Sequence, residues 1–322
     1  MRIAVASRSF SRHPVLRAEL LERFPGATFN DAGKSLAGDE LIAFLRGHDG
    51  AVTALERLDE SVFAALPELR VIGKYGVGLD MLDLGAMRRH GVRLGWTGGV
   101  NRRSVSELVI SMAIALLRHV PKGNLEVRAG GWRQLQGRHL SDRVVGIVGC
   151  GHIGKDLTPL LKAFGCRVLA HDLLDFPDFY AAHGIEAVGL DDLLRRADVV
   201  TLHLPLDAST ANILSAGRLA LMRPDAILIN CARGGLVDEA ALKAMLTDGR
   251  LAGAGLDVFA GEPPADREFL ALPNLLATPH IGGSAEEAVI AMGRAAIAGL
   301  SNAEIPRPGS EVWRAAGLKE DQ

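Results

Sequence analysis

The stretch Val144-Val145-Gly146-Ile147-Val148-Gly149-Cys150-Gly151-His152-Ile153-Gly154 constrains the fold more than any other part of this 322-residue chain. An apolar, β-branched run reads as a buried strand, and the pattern Gly149-x-Gly151-x-x-Gly154 then leads into a helical segment. In that setting Gly149 permits a tight turn, Gly151 lets the backbone approach a pyrophosphate, and Gly154 lets the helix lie close on the strand. The helix N-terminus itself favours negative charge. The next strand, Cys166-Arg167-Val168-Leu169-Ala170-His171, runs into Asp172, 18 residues beyond Gly154. That is close to the spacing at which a carboxylate accepts hydrogen bonds from adenosine ribose hydroxyls. Gly149, Gly151, His152, Ile153, Gly154 and Asp172 are therefore candidate dinucleotide contacts. An acid followed by Leu173 and Leu174 rather than arginine repels a 2′-phosphate, so NAD is expected over NADP. The plainer alternative is a set of turn glycines in a nucleotide-free α/β domain, and the strand, helix and acid in register weigh against it.

The residues before this motif alternate short apolar runs with amphipathic segments. Strands are expected at 2–7, 27–30, 51–54, 71–75 and 92–96, and helices at 13–24, around 41–46, at 61–66 and around 84–89. A second series of strands follows the glycine motif, at 168–170, 199–204, 226–230, 253–258 and 275–278. Strand–helix alternation of this kind argues for mostly parallel sheets covered on both faces. Thr97-Gly98-Gly99-Val100-Asn101 breaks the first series and is a candidate hinge. Ser104 with Glu107 three positions on reads as a capping box opening a long helix over Leu108–Leu117. A last helix near 285–300 comes after the second series and is placed to return to the first domain. The expected organisation is a domain of residues 1–99 plus 288–322 and a second of residues 100–287.

Net charge is −2, with no basic stripe, so neither nucleic acid nor a membrane surface is an expected partner. Three cysteines, Cys150, Cys166 and Cys231, are too few and too scattered for a disulfide framework and fit a reducing, cytoplasmic setting. The N-terminus lacks the long apolar core of a signal peptide. The most apolar stretch, Leu108 to Leu117, is about half the ~20 residues of a membrane span. No metal is expected.

Three further segments carry chemistry. Arg233 follows an apolar strand in Asn230-Cys231-Ala232-Arg233-Gly234-Gly235, Glu262 lies in the loop after Leu256-Asp257-Val258, and His280 follows a third strand in Thr278-Pro279-His280. Ligands of open parallel sheets bind outside the carboxyl ends of strands. A cation, an acid and an imidazole there form a working set for reducing a 2-oxo acid. An arginine fork pairs with a substrate carboxylate and polarises the carbonyl. Hydride addition makes an alkoxide, which a positioned imidazolium protonates. A carboxylate on the other ring nitrogen stabilises that imidazolium. Each residue alone has an ordinary reading as surface cation, loop acid or structural histidine; their joint placement after successive strands carries the functional one. The other nine histidines lack such partners, and His203, in a buried-looking strand, is expected in the core.

With these motifs in order, the chain resembles the D-isomer-specific 2-hydroxyacid dehydrogenase family. The resemblance covers nearly the whole length. It rests on Gly76-Val77-Gly78-Leu79-Asp80, Asn101 through Leu108, the glycine fingerprint, Leu202-His203-Leu204-Pro205-Leu206, Asn230 to Asp238, Gly255 to Val258 with Glu262, and Thr278 to Gly283. It implies two Rossmann- or flavodoxin-like α/β domains with an interdomain active-site cleft, and an NAD-dependent enzyme acting on a small anionic D-2-hydroxy or 2-oxo acid. It further implies Arg233 as anchor, His280 as acid/base and Glu262 as its partner, with cofactor contacts at Pro205, Thr210, Cys231, Asp257 and Gly282. Substrate contacts are implied at the Val77 and Gly78 amides, with Lys74 hinting at a second anionic group and the bulky Tyr75 narrowing the pocket. Phosphoglycerate, hydroxypyruvate and glyoxylate chemistry all stay open. Family dimers form through the long helix and the arm after it, here about Val105 to Ser141, so a homodimer is implied. An NADH-sensing co-repressor of the same fold keeps the same residues and is the alternative.

Overall fold

A computed structural model describes residues 1–318. The chain divides into two compact units, Met1–Asn101 together with the segment from Ala285 on, and Arg102–Ser284. The first unit holds strands β1 (Ile3–Val5), β2 (Thr28–Phe29), β3 (Gly50–Thr53), β4 (Val71–Lys74) and β5 (Arg93–Gly95). All pair in parallel in the order β2-β1-β3-β4-β5, the flavodoxin-like arrangement. Alternation along β1 shows why this sheet forms. Ile3 and Val5 enter one buried cluster with Phe10, Leu16 and Ile297, while Ala4 and Ala6 enter the other with Leu41, Phe63 and Trp313. Both faces are thus sealed by helices, as a parallel sheet requires.

The helix Glu286–Gly299 packs against β4, β5 and the helix Pro14–Arg23. Small residues make that approach possible. A Cβ at Gly73 would lie 2.5 Å from the Ala296 carbonyl oxygen, and one at Gly95 would lie 2.3 Å from the Gly299 backbone. A short helix, Glu311–Ala315, buries Trp313 in the same unit and was not anticipated from the sequence. At five residues, with Trp313 alone fully buried, it is too short for a periodic signal.

The second unit holds β6 (Val144–Val148), β7 (Arg167–His171), β8 (Glu186–Ala187), β9 (Val199–Leu202), β10 (Ile227–Asn230), β11 (Gly253–Leu256) and β12 (Leu275–Ala277). They form one parallel sheet, β12-β11-β10-β9-β6-β7-β8. The order reverses between β6 and β9, the switch point at which doubly wound sheets take nucleotides. One face is covered by the helix Arg102–Leu117, through Val105, Val109, Met112 and Leu116, and by the helix His152–Ala163. The other is covered by Leu193, Leu219, Leu242 and Met245.

The capping-box expectation is corrected here. The long helix starts at Arg102, so Ser104 already lies inside it, and its hydroxyl donates to the Gly282 carbonyl at 2.6 Å. The tertiary acceptor wins because it comes from the loop after β12, which no local pattern reveals. Among the described residues no single helix is long and apolar enough to cross a membrane. The helices Arg102–Leu117 and Val120–Arg128 reach that length and composition only as a pair bent by 61°.

Candidate active site

At the carboxyl end of β6 the chain turns through Gly149, whose φ of 95° is a conformation that L side chains rarely adopt. Its N–H donates to the His171 carbonyl at 2.8 Å, and a Cβ there would lie 2.6 Å from the His203 carbonyl oxygen. Gly154 is required by packing, since its Cβ would come within 2.6 Å of the Gly149 carbonyl oxygen and 3.0 Å of Ile147. Gly151 differs from both. A Cβ there would meet nothing within 4 Å, although the residue caps a helix, His152–Ala163, that no side chain caps. Open space over a backbone that begins a helix is what a pyrophosphate needs, and His152 and Ile153 form the first turn.

Asp172 sits directly beyond β7. Its Oδ2 accepts the Cys150 N–H at 2.6 Å and its Oδ1 accepts the Leu174 N–H at 2.8 Å, so the carboxylate is held beside the glycine turn. Leu173 and Leu174 are exposed and bring no cation to pair with a 2′-phosphate. The residues present fit NAD. The Cys150 thiol is buried, and burial and the Asp172 charge push it up to about 11.

Across the switch point the His203 N–H donates to the Val148 carbonyl at 2.8 Å. Its ring takes Thr201 Oγ1 as a partner for Nε2 at 3.0 Å, while Nδ1 is sealed from solvent with no partner. Burial pushes this histidine down to about 3, so it is neutral. Pro205 is exposed, and its carbonyl accepts the Thr210 hydroxyl at 2.8 Å. That hydroxyl also accepts the Asp207 N–H at 2.8 Å, which makes Thr210 a closure of this loop.

The catalytic candidates come from the ends of β10, β11 and β12. Asn230 Nδ2 donates to the Arg233 carbonyl at 2.8 Å, and Asn230 Oδ1 accepts the Ala232 N–H at 3.1 Å, so a buried amide shapes the turn that carries Arg233. The Arg233 side chain is half-buried and donates through one terminal nitrogen to the Ala232 carbonyl at 2.7 Å. Beside it, a Cβ at Gly234 would lie 1.9 Å from the Phe259 carbonyl oxygen. Backbone therefore meets backbone between the Arg233 loop and the loop leading to Glu262.

Glu262 joins the two remaining segments. Its Oε1 accepts the Phe259 N–H at 3.2 Å, and its Oε2 lies 2.9 Å from His280 Nδ1. Both side chains are about half exposed, at 40% and 50%. His280 adopts φ 55°, a conformation rare outside glycine, and Asp257 holds the chain on both sides of it. The Asp257 carbonyl accepts the His280 N–H at 2.9 Å. Its buried carboxylate accepts the Thr278 hydroxyl at 2.6 Å, the Ile281 N–H at 2.8 Å and the Gly282 N–H at 2.7 Å. Asp257, Gly282 and Cys231 were expected as cofactor contacts. The observed bonds make Asp257 and Gly282 parts of the histidine loop, and Cys231 is buried with its Sγ 3.8 Å from Met112 Sδ. Burial pushes the Cys231 thiol well up, so it is not a thiolate. Asn230 and Thr278 lay inside recognised motifs, but their loop-shaping roles were missed. An amide or hydroxyl at a strand end is the only sequence signal they leave.

The remaining substrate candidates belong to the other unit. Lys74 ends β4 almost fully buried, its Nζ donating to the Ala54 carbonyl at 2.7 Å and the Tyr75 carbonyl at 3.4 Å. The Tyr75 ring stands edge-on to Phe10 at 5.3 Å and is 7% exposed, so it is packed into the interior of that unit. Gly76, at φ 117°, opens the loop holding Val77 and Gly78, and the Trp96 indole N–H donates to the Val77 carbonyl at 2.9 Å.

Residues 110–282 match the family described as D-isomer specific 2-hydroxyacid dehydrogenase, NAD binding domain. The chain is 38% identical over 253 residues to a D-3-phosphoglycerate dehydrogenase of Mycobacterium tuberculosis, covering 78% of this chain and 48% of that protein. It spans about half the length of the curated relatives it matches. Among solved structures, the TT0316 protein of Thermus thermophilus superposes with a TM-score of 0.85 at 34% identity, covering 96% of this chain and all (100%) of that one. A D-lactate dehydrogenase with NAD+ from Lactobacillus jensenii superposes with a TM-score of 0.77 at 28% identity, covering 95% and 98%. With an NAD-binding domain matched over more than half its length, the chain belongs to the D-isomer specific 2-hydroxyacid dehydrogenase family.

Proposed function

We propose that this chain is an NAD-dependent oxidoreductase interconverting a small D-2-hydroxy acid and its 2-oxo acid. The observation that carries the reading is the Glu262–His280 pair at 2.9 Å, built beside the loop that presents Arg233. NAD, held at Gly149, Gly151, His152, Ile153, Gly154 and Asp172, supplies the hydride acceptor or donor. The chain's own residues handle charge and protons. The Arg233 guanidinium pairs with the substrate carboxylate and polarises the carbonyl oxygen. With Nδ1 committed to Glu262, the imidazole exchanges its proton through Nε2. It gives that proton to the alkoxide oxygen in reduction and takes it from the hydroxyl in oxidation. Glu262 stabilises the imidazolium between these events.

The unit of residues 1–99 plus 288–322 is assigned as substrate-binding and residues 100–287 as cofactor-binding. Val77 and Gly78 are assigned to the substrate carboxylate, Lys74 to a second anionic group on the substrate, and Tyr75 to narrowing the pocket. The relatives named above act, by their names, on phosphoglycerate and lactate, which supports a small anionic substrate. Glyoxylate and hydroxypyruvate belong to the same chemical class. We assign the chain to a homodimer, because the helix Val120–Arg128 buries none of its residues and leaves Val120, Leu125 and Val127 exposed, with Trp132 85% exposed just after it. Three free, buried cysteines suit the reducing cytoplasm.

The test is NADH oxidation by the purified protein over glyoxylate, hydroxypyruvate, phosphohydroxypyruvate, pyruvate and bulkier 2-oxo acids. Turnover with at least one is expected. Tight NADH binding without turnover on any of them overturns the enzymatic reading and favours an NADH sensor.

A further inference from the structure

The loop that carries Glu262 is poorly able to hold itself. Pro263 and Pro264 have no N–H to donate, and Gly261, Glu262 and Pro263 are all exposed. Its two ends are instead gripped from one helix, Glu239–Thr247. Glu239 Oε1 accepts the Ala260 N–H at 2.7 Å, two residues before Glu262. Lys243, one turn later on the same face, donates to Asp266 Oδ2 at 2.8 Å and Glu268 Oε2 at 3.0 Å, beyond the prolines. Asp266 and Glu268 hold Lys243 above the ordinary lysine range, and Lys243 holds Asp266 below the carboxylate range, so both ends of the contact stay charged.

The helix does not need these side chains to stay in place. It buries Leu242, Met245 and Leu246 in the core, and Asp238 caps it by accepting the Ala241 N–H at 3.0 Å. Glu239 and Lys243 are therefore available as braces for the neighbouring loop.

We propose that Glu239 is a positioning residue for the Glu262–His280 pair, with Lys243 bracing the far end of the same loop. By accepting the Ala260 N–H, Glu239 sets where the loop starts, and that start sets whether Glu262 Oε2 reaches His280 Nδ1. A displacement of one ångström at a reacting group costs on the order of a hundredfold in rate, so a modest relaxation of the loop is enough to matter. The inference rests on the reading of Glu262 and His280 as the acid/base pair.

The experiment compares Glu239→Ala, Glu239→Gln, Glu239→Asp and Lys243→Met with Glu262→Gln in the full chain. It uses kcat and KM for the best 2-oxo acid, NADH affinity, and the titration of the His280 ring followed by NMR. Glu239→Ala is expected to lower kcat about 10- to 100-fold with NADH affinity unchanged. The His280 titration midpoint should move in the same direction as in Glu262→Gln. Glu239→Gln keeps an oxygen able to accept the Ala260 N–H and restores most of the rate, whereas the shorter Glu239→Asp does not. Lys243→Met loses only a few-fold. Should Glu239→Ala not fold, the Gln and Asp pair decides. Equal loss in both, or none in either, overturns the brace. Wild-type kcat and titration in Glu239→Ala alongside an impaired Glu262→Gln also overturns it. An unimpaired Glu262→Gln overturns the acid/base reading itself. In a protein without turnover, the NMR titration still separates the two: a midpoint unmoved by Glu239→Ala but moved by Glu262→Gln defeats the brace alone.

Discussion

Two ends of the same seven-stranded sheet are built in opposite ways. Beyond β6 and β7 the cradle is made of backbone: three glycines within six residues, a helix start, and one carboxylate held by main-chain N–H groups. Beyond β10, β11 and β12 the candidate catalytic groups are side chains from three separate loops, and polar side chains fix those loops. Asn230 shapes the first, Asp257 ties down the third, and Glu262 bridges from the second. The first region works by what is absent, since a Cβ would fill it. The second works by what is bonded, since an unsatisfied network in a loop would wander.

The largest effect that can break this contrast is chemical. His280→Ala is expected to lower kcat by about 10²- to 10⁴-fold while NADH affinity stays near the wild-type value. Stopped-flow turnover beside fluorescence titration measures both, and a parallel loss of cofactor binding would mean that the two regions are not separate devices.

A paired glycine scan sharpens it next. Gly234→Ala places a Cβ against the Phe259 carbonyl and should destabilise the fold by about 1–3 kcal/mol and depress turnover. Gly151→Ala meets no protein atom, so its unfolding midpoint should stay within about 0.5 kcal/mol of wild type while NAD affinity falls. Denaturant melts with and without NAD check the pair. Equal destabilisation by both would remove the distinction between a closed and an open glycine.

The smallest effect concerns His203, which lies between the two regions at the end of β9. Its ring sits at about 3 against an ordinary value of 6.5. Between those values the unfolded chain binds a proton that the native ring refuses, so stability falls as pH falls. The loss is about 2 kcal/mol between roughly pH 7 and pH 5. His203→Gln, which can still face Thr201, should flatten that slope in urea melts across this range. An unchanged slope would assign the acid sensitivity elsewhere.

How much of this was legible in the chain follows the same division. The glycine turn, its helix and the position of Asp172 beside it lie within a few dozen residues and obey local rules, so this geometry was legible in the sequence. Arg233, Glu262 and His280 were recognisable as chemistry at strand ends, and their pairing was an expectation. Their supports were not legible. Asp257 was expected at the cofactor, and nothing local showed that its carboxylate also accepts bonds from Thr278, Ile281 and Gly282, 21 to 25 positions away. Ser104 and Glu107 matched a cap, yet the serine hydroxyl serves a carbonyl 178 positions on. Lys74 read as a cation for substrate, and the bonds its ammonium donates to the Ala54 and Tyr75 carbonyls were not legible in the sequence.

The amino-acid order alone determined the parallel α/β architecture, the dinucleotide turn and the acid that follows it, because period, turn chemistry and a helix start are short-range properties of a chain. Only the tertiary structure decided which oxygen faces which nitrogen around Glu262 and His280. Those bonds join segments that meet solely because β10, β11 and β12 lie side by side. A hydrogen bond depends on distance in space, which separation along the chain does not encode.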